Sequence, residues 1–195
     1  MLKRLFDFMS SLIGLVLLFP LMLIISILIK LDSIGPVFFK QKRVGKDGKL
    51  FTMIKFRSMS VVQKSKSTVS VKGDARITKI GAFLRKFKLD ELPELWNVLI
   101  GQMSLVGPRP DVEGFADELK GDDRLILELR PGITGPASLK YANEEELLSQ
   151  KSNPEKYNKE VIFPDKVRIN LDYYRKQNLI LDLKIIFATI FRTNY

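Results

Sequence analysis

The sequence predicts a mixed α/β, helix-rich single domain with a small β-hairpin, an N-terminal membrane helix and interfacial amphipathic helices. Three patterns lead to this prediction. An uncharged apolar run extends from Phe8 to Ile29, two short aromatic-rich runs flank a turn at residues 45–48, and apolar residues recur at helical spacing from Ile77 onward. A chain of 195 residues is long enough for one such domain with a membrane element attached.

The apolar run is about 20 residues long, which is enough for a helix to span the hydrocarbon core of a bilayer. Basic residues flank it on both sides, although Lys and Arg are normally retained on the cytoplasmic side. A bend at Pro20 would let the helix enter and leave by the same face, but proline also occurs in straight spanning helices. The residues alone therefore do not decide between a spanning and a re-entrant helix. We expect residues 1–32 to form this element and residues 33–195 to form a cytosolic, membrane-associated domain.

The charge distribution limits the partners of this chain. The net charge is +10, with +14 in residues 1–88 and −4 in residues 89–195. Such asymmetry indicates an anionic partner for the first half, and the apolar run there favours membrane lipids over nucleic acid. The sequence has no cysteine and no histidine, which excludes disulfides, thiolate zinc sites and imidazole bases. Catalytic groups must therefore be carboxylates, lysines, tyrosines or hydroxyls.

Two strands are expected on either side of the turn, at residues 37–43 and 49–57. Lys55 and Arg57 share one face of the second strand, because strand side chains alternate. Two interpretations stay open for this pair. It is either a solvated basic edge that also prevents aggregation, or a cationic wall for a diphosphate.

Residues 77–110 are the most informative segment. Their first part combines apolar helical spacing with basic residues on the other faces, which predicts a helix that packs on the core or lies at a membrane interface. Asp90 and Glu91 follow, just before a helix start marked by Pro93. Both residue types are common at helix starts for structural reasons. The same position favours an anionic phosphate, so one carboxylate can serve as nucleophile and the other as a metal or base group.

Arg109 lies between two prolines, Pro108 and Pro110, whose restricted φ angles stiffen the backbone. A guanidinium presented rigidly is suited to bidentate phosphate binding, and a tight structural turn is the alternative. Residues 130–135 form a second such corner with the same two interpretations.

Two further segments carry weaker patterns. Residues 60–75 are rich in Ser, Lys and Val and predict a mobile loop. Residues 179–191 are too short and too charged for a second membrane span, so they predict a partly buried or interfacial helix.

Several ordered motifs together closely resemble the monotopic phosphoglycosyl transferases, a family of bacterial sugar transferases. The resemblance extends from the N-terminal membrane helix to about Gly135, and a weaker similarity covers residues 171–191. The motifs are Lys55-Phe56-Arg57-Ser58-Met59, Leu84-Arg85, Leu89-Asp90-Glu91-Leu92-Pro93, Asn97-Val98-Leu99, Met103-Ser104-Leu105-Val106-Gly107-Pro108-Arg109-Pro110 and Arg130-Pro131-Gly132-Ile133-Thr134-Gly135.

The resemblance implies an enzyme at the cytoplasmic face of the bacterial inner membrane that transfers a sugar-1-phosphate from a UDP-sugar to undecaprenyl phosphate and releases UMP. It implies that Asp90 is the nucleophile of a covalent phosphosugar intermediate, and that Mg²⁺ is held by Asp90 and Glu91. The family's membrane helix is re-entrant and broken at a proline, which fits Pro20, so the resemblance implies that residues 1–32 form a re-entrant membrane helix. The candidate substrate-binding residues are Lys55, Arg57, Arg85, Arg109 and Pro110.

The alternative function is a catalytically silent, membrane-anchored binder of polyprenyl phosphate or a scaffold for glycan assembly. The intact pair of Asp90 and Glu91 argues against it, because a binder needs cations but no nucleophile. The sequence leaves open the sugar, the glycan pathway and the oligomeric state, a homo-oligomer included.

The chain departs from the family pattern in two places. Phe19 precedes Pro20 where many relatives have serine. Gly135 leads into residues 136–143 and an acidic run at residues 144–146, where relatives commonly continue with Gln-x-Asn-Gly-Arg. Sugar recognition is therefore not carried over from those relatives.

Overall fold

The computed structural model describes residues 2–60 and 75–193, so most of the loop expected at residues 60–75 lies outside the described residues. The helices are α1 (Leu2–Asp32), α2 (Lys79–Lys86), α3 (Glu94–Leu99), α4 (Pro136–Lys140), α5 (Glu144–Ser149), α6 (Pro154–Tyr157), α7 (Phe163–Lys176) and α8 (Leu179–Phe191). The strands are β1 (Phe38–Val44), β2 (Leu50–Phe56), β3 (Ser104–Val106) and β4 (Gly132–Thr134). Short 3₁₀ turns and one π-helical turn, Asn158–Ile162, connect them.

The predicted hairpin and the helix-rich mixed α/β class are confirmed. β1 pairs antiparallel with β2, with Phe38 opposite Phe56. Asp47 and Gly48 close the turn in the left-handed region, at φ of 57° and 75°, which Asp and Gly tolerate best. β3 and β4 form a second, parallel pair.

The two corners that the sequence marks separately pack against each other. The Gly132 N–H donates to the carbonyl of Pro108 at 2.8 Å. A Cβ on Gly107 would lie 2.3 Å from the carbonyl oxygen of Arg130, and a Cβ on Gly132 would lie 2.1 Å from the nitrogen of Gly107. Only glycine permits this approach. The corner that carries Arg109 is therefore held by the second corner, and both have a structural role in addition to any role in binding.

α1 is continuous through Pro20, and among the described residues it is the one helix long and apolar enough to cross a membrane. Many of its large apolar side chains are exposed, including Leu17 and Phe19. Its last turns pack on the remainder of the chain, because Ile29 is buried in a cluster with Phe56 of β2 and Leu84 of α2. Its first turns contact α3 and β3. Both ends of α1 therefore touch one folded domain.

The two other predicted amphipathic helices have one buried and one exposed face. Thr78 caps the start of α2, since its hydroxyl accepts a hydrogen bond from the Gly81 N–H at 3.0 Å. Phe83 of α2 and Phe87 at its C-terminal cap are exposed. α8 buries Ile185 and Ala188. Its exposed apolar residues are Ile180, Leu183, Phe187, Ile190 and Phe191. The prediction of a partly buried C-terminal helix is confirmed.

Candidate active site

Asp90 and Glu91 lie together in one 3₁₀ turn, Leu89–Glu91, directly before α3. Lys88 adopts a left-handed conformation with φ of 57° and so reverses the chain between α2 and this turn. The predicted location of Asp90 just before a helix start is confirmed. Both carboxylates are 7% exposed, which is unusual for acidic residues unless they are paired.

Glu91 is the paired carboxylate. Its Oε1 accepts hydrogen bonds from Lys55 Nζ at 2.8 Å and from an Arg109 guanidinium nitrogen at 2.7 Å. Burial alone would raise the pKa of Glu91, but the charges of Arg109 and Lys55 outweigh it and hold this pKa well below its usual range. Glu91 is therefore ionised at neutral pH.

Asp90 has the opposite environment. Its Oδ1 is buried and has no hydrogen-bond partner among the described residues. Burial raises the pKa of Asp90, the charge of Glu91 adds to the increase, and Lys55 and Arg85 oppose it. Two neighbouring carboxylates with pKa values pushed apart are suited to two different roles, and the more basic one, Asp90, is the better nucleophile.

Glu94 is a third carboxylate of the site that the sequence analysis did not select. It is 2% exposed and lies 3.1 Å from Lys55 Nζ. Burial raises the pKa of Glu94 to about 7, although the charge of Lys55 lowers it. Glu91 and Glu94 are three residues apart, a spacing that places side chains on one face of a helix. This spacing is the sequence pattern from which Glu94 could have been identified as a site residue.

Arg109 reaches Glu91 from the corner after β3, and 41% of its side-chain surface stays exposed, so a ligand has access to it. Pro110 is buried, and its carbonyl accepts a hydrogen bond from Arg43 at 3.2 Å. The next peptide is also fixed, because the Val44 N–H donates to the carbonyl of Asp111 at 2.9 Å. The end of β1 thus holds the exit of the corner, and Arg43 is a second residue that the sequence analysis missed.

Arg57 has a different location from Lys55. Its guanidinium donates to the carbonyls of Ile34 at 2.9 Å, Ser33 at 2.6 Å and Ile29 at 3.2 Å. These groups lie at the C-terminal end of α1, where backbone carbonyls lack helical partners. The structure therefore brings Lys55 to the carboxylates and Arg57 to the C-terminal end of α1, and the two side chains do not form a common wall.

Arg85 lies on α2 and forms an ion pair with Glu145 of α5. Glu144, the neighbouring acidic residue, pairs with Lys166 at 2.7 Å. The acidic run that departs from the family pattern thus sits against basic residues around the site. The positive charge of Arg85 lowers the pKa of Asp90 against the effect of burial.

A family model described as bacterial sugar transferase matches residues 1–194. This chain belongs to the bacterial sugar transferase family. The match covers the buried carboxylates, both corners and α1, and it confirms the resemblance that the motifs indicate.

Named relatives support this family assignment. The chain is 40% identical over 195 residues to the UDP-glucose:undecaprenyl-phosphate glucose-1-phosphate transferase of Klebsiella pneumoniae, covering 97% of this chain and 39% of that protein. It is 41% identical over 199 residues to the exopolysaccharide production protein PSS of Rhizobium leguminosarum bv. phaseoli, covering 97% and 93%. It is 36% identical over 194 residues to the UDP-N-acetylgalactosamine-undecaprenyl-phosphate N-acetylgalactosaminephosphotransferase of Aeromonas hydrophila, covering 96% and 42%. The chain spans about two fifths of the first and third of these relatives.

The two adjacent carboxylates, Asp90 and Glu91, fit a magnesium ion whose coordination would be completed by the phosphates of a ligand. Among residues 2–60 and 75–193, no cluster of three or more acidic side chains forms a complete metal site. Mg²⁺ is, however, commonly bound through one or two carboxylates together with substrate phosphates. The partnerless buried Oδ1 of Asp90 and the adjacent Glu91 supply that smaller donor set.

Proposed function

We propose that the chain is a phosphoglycosyl transferase that transfers a sugar-1-phosphate from a UDP-sugar to undecaprenyl phosphate and releases UMP. The observation that carries the proposal is the unequal state of two adjacent carboxylates. The negative charge of Glu91 is balanced by ion pairs with Lys55 and Arg109, whereas Asp90 has a buried oxygen without a partner among the described residues. The names of the relatives supply the classes of donor and acceptor, UDP-sugar and undecaprenyl phosphate.

The reaction takes two steps through a covalent intermediate on Asp90. In the first step a carboxylate oxygen of Asp90 attacks the phosphorus that carries the sugar, and the bond from that phosphorus to the bridging oxygen breaks, so UMP leaves with the electron pair. In the second step a phosphate oxygen of undecaprenyl phosphate attacks the same phosphorus, and the bond to Asp90 breaks and restores the carboxylate. Each half is a displacement at phosphorus, in which positioning and charge neutralisation supply most of the catalysis.

The cations around the carboxylates have separate tasks in this scheme. Lys55 and Arg109 keep Glu91 ionised, and the exposed part of Arg109 binds phosphate oxygens. Arg85 binds a phosphate oxygen when its contact with Glu145 opens. Asp90 and Glu91 would hold Mg²⁺, which would supply neutralisation of the diphosphate charge when bound.

We infer that α1 is a re-entrant helix and that the catalytic domain lies at the cytoplasmic face of the bacterial inner membrane. Support comes from the contacts of both ends of α1 with one domain, since Arg4 donates to α3 at 2.6 Å and Ile29 packs with Phe56. Basic residues on both flanks fit a helix that enters and leaves on the cytoplasmic side. The exposed apolar faces of α1, α2 and α8 are suited to contact with membrane lipids.

The decisive experiment measures UMP release from a panel of UDP-sugars by the protein in lipid nanodiscs that contain undecaprenyl phosphate. We expect one donor to give UMP together with a lipid-linked sugar diphosphate, and Asp90→Asn to give neither. The panel includes UDP-glucose and UDP-N-acetylgalactosamine, the donors named for relatives. Retention of undecaprenyl phosphate without UMP release from any donor would favour the silent binder or scaffold.

A further inference from the structure

In the N-terminal half of α1, the buried face carries polar or small residues, whereas Ile25 and Ile29 are buried in its C-terminal half. Lys3, Asp7, Ser11 and Gly14 follow one another at helical spacing. Asp7 and Ser11 are 2% and 0% exposed, and a Cβ on Gly14 would lie 3.3 Å from the side chain of Leu95. Burial of a carboxylate is costly unless hydrogen-bond donors satisfy it. The partners of Asp7 therefore indicate what this face does.

Asp7 uses both of its carboxylate oxygens on β3. Its Oδ2 accepts a hydrogen bond from the Ser104 hydroxyl at 2.9 Å, and its Oδ1 accepts one from the Leu105 N–H at 3.0 Å. β3 runs directly into the corner that carries Arg109, and Arg109 contacts Glu91 at 2.7 Å. The backbone N–H that Asp7 holds, that of Leu105, thus lies four residues before Arg109 in the sequence.

The backbone between these points is stiff. Pro108 has a restricted φ angle, its carbonyl accepts the Gly132 N–H at 2.8 Å, and a Cβ on Gly107 would collide with the carbonyl oxygen of Arg130 at 2.3 Å. Because this segment has little freedom to absorb a shift, a displacement of β3 is passed on to Arg109. The same end of α1 is also held by Lys3, whose Nζ lies 2.5 Å from a carboxylate oxygen of Asp182.

We propose that Asp7 is a positioning residue for the active site, which fixes β3 from within the membrane helix and thereby sets Arg109 against Glu91. The inference rests on the proposed function, because it assigns Arg109 to the substrate phosphates. It makes docking of the membrane helix a condition for catalysis, in addition to its role as an anchor.

A double-mutant cycle on the full chain in nanodiscs tests this coupling. We expect Asp7→Ala to lower kcat/KM for the UDP-sugar roughly tenfold, because the Leu105 N–H loses its acceptor. Asp7→Asn should recover most of the loss, since its amide oxygen can still accept that hydrogen bond. In the background of Arg109→Ala, Asp7→Ala should cause little further loss, because the residue through which it acts is already absent. Additive losses would overturn the proposal, since a general structural defect adds to the loss of Arg109.

Two variants control the cycle. Ser11→Ala alters the same buried face, but the Ser11 hydroxyl donates only within α1, to Phe8 at 3.0 Å, so kcat/KM should not change. If Asp7→Ala fails to accumulate in the membrane, Ser104→Ala takes its place in the cycle. Ser104→Ala removes one of the two hydrogen bonds to Asp7 and leaves the sequence of α1 unchanged. Losses of kcat/KM that add to those of Arg109→Ala would again overturn the proposal.

Hydrogen exchange provides a measurement that needs no turnover. Peptides covering residues 103–110 should exchange faster in Asp7→Ala than in the wild type and at the wild-type rate in Ser11→Ala. Unchanged exchange in Asp7→Ala would overturn the positioning role even if activity fell. A wild-type protein that releases no UMP from any donor would defeat the proposed function, while the exchange experiment would still report whether Asp7 holds β3.

Discussion

Asp90 and Glu91 are neighbours in sequence with equal burial, yet their surroundings differ in one respect. Lys55 and Arg109 both reach Glu91, and the buried Oδ1 of Asp90 lacks a partner in the described part of the chain. The sequence predicts that the two carboxylates have separate roles, because the side chains of adjacent residues on a helix point in different directions. It cannot predict which one the cations reach, because those cations come from segments that are distant along the chain.

Asp90, the proposed nucleophile, is the first residue to test. Asp90→Asn keeps the shape of the side chain but removes the attacking oxygen anion, so UMP release should fall by several orders of magnitude. Melting temperature and membrane association should stay near the wild-type values. Glu91→Gln should also be severely impaired and should show an altered dependence on Mg²⁺ concentration. Near-normal turnover by Asp90→Asn would end the covalent proposal.

Glu94 should make stability depend on pH. Its pKa is raised from an unfolded value of 4.5 to about 7, so the folded state binds this proton more tightly than the unfolded state does. The contribution is fully present below pH 4.5 and is lost as pH rises through 7, and it amounts to at most about 3 kcal/mol. The melting temperature of the wild type should therefore fall between pH 5 and 8.

Glu94→Gln removes the titrating group and should flatten this pH dependence. A smaller decline will remain, because burial also raises the pKa of Asp111, to about 6. Glu160→Gln is a suitable control, since that carboxylate is largely exposed and should leave the decline unchanged. Equal pH profiles for the wild type and Glu94→Gln would contradict this assignment.

At the level of elements, local patterns predict most of what the structure contains. The hairpin follows from turn residues between aromatic-rich runs, and the start of α3 follows from Pro93 with the acidic residues before it. The contact between the two corners was not predictable, because it depends on glycines about 25 residues apart that allow close backbone approach. Arg57 shows the same limit, since the carbonyls that bind it belong to the last turn of α1 and to the two residues that follow it.

Arg57 should therefore act on the end of α1. Arg57→Lys keeps the charge but loses the planar fork with which two guanidinium nitrogens reach the carbonyls of Ile29, Ser33 and Ile34. We expect a loss of stability of about 1–3 kcal/mol, seen as a lower melting temperature, with an unchanged KM for the UDP-sugar. Lys40→Gln, an exposed change in β1, should alter neither value. A raised KM at normal stability would instead support the cationic wall with Lys55.

At the scale of the whole molecule, α1 packs on the folded domain at both of its ends. The sequence predicts an apolar segment with basic flanks, and its charge pattern left spanning and re-entrant forms open. The structure adds that the N-terminal basic residues have specific partners, since Lys3 contacts Asp182 and Arg4 donates to two carbonyls of α3 at 2.6 and 2.7 Å. Those partners could not be predicted, because they come from segments about 95 and 179 residues away.

These contacts predict that both ends of α1 lie on one side of the membrane. Because the sequence has no cysteine, single introduced cysteines can test this topology. If α1 is re-entrant, a cysteine placed in a short extension before Met1 and one introduced by Lys40→Cys lie on the same cytoplasmic side. A membrane-impermeant thiol reagent applied to intact cells should label neither, and permeabilised cells should show labelling of both. Outside labelling of the extension with Pro20 intact would mean that the native segment spans the membrane.

Pro20→Leu removes the residue that disfavours a straight helix and should move part of the population toward a spanning form. Two costs oppose a complete change. The basic residues near the N-terminus would have to cross the bilayer, and the contacts of Lys3, Arg4 and Asp7 with the catalytic domain would have to break. We therefore expect a minority of chains to be labelled from outside. Adding Asp7→Ala to Pro20→Leu should increase that labelled fraction, because it removes one of the contacts that hold both ends of α1 to one domain.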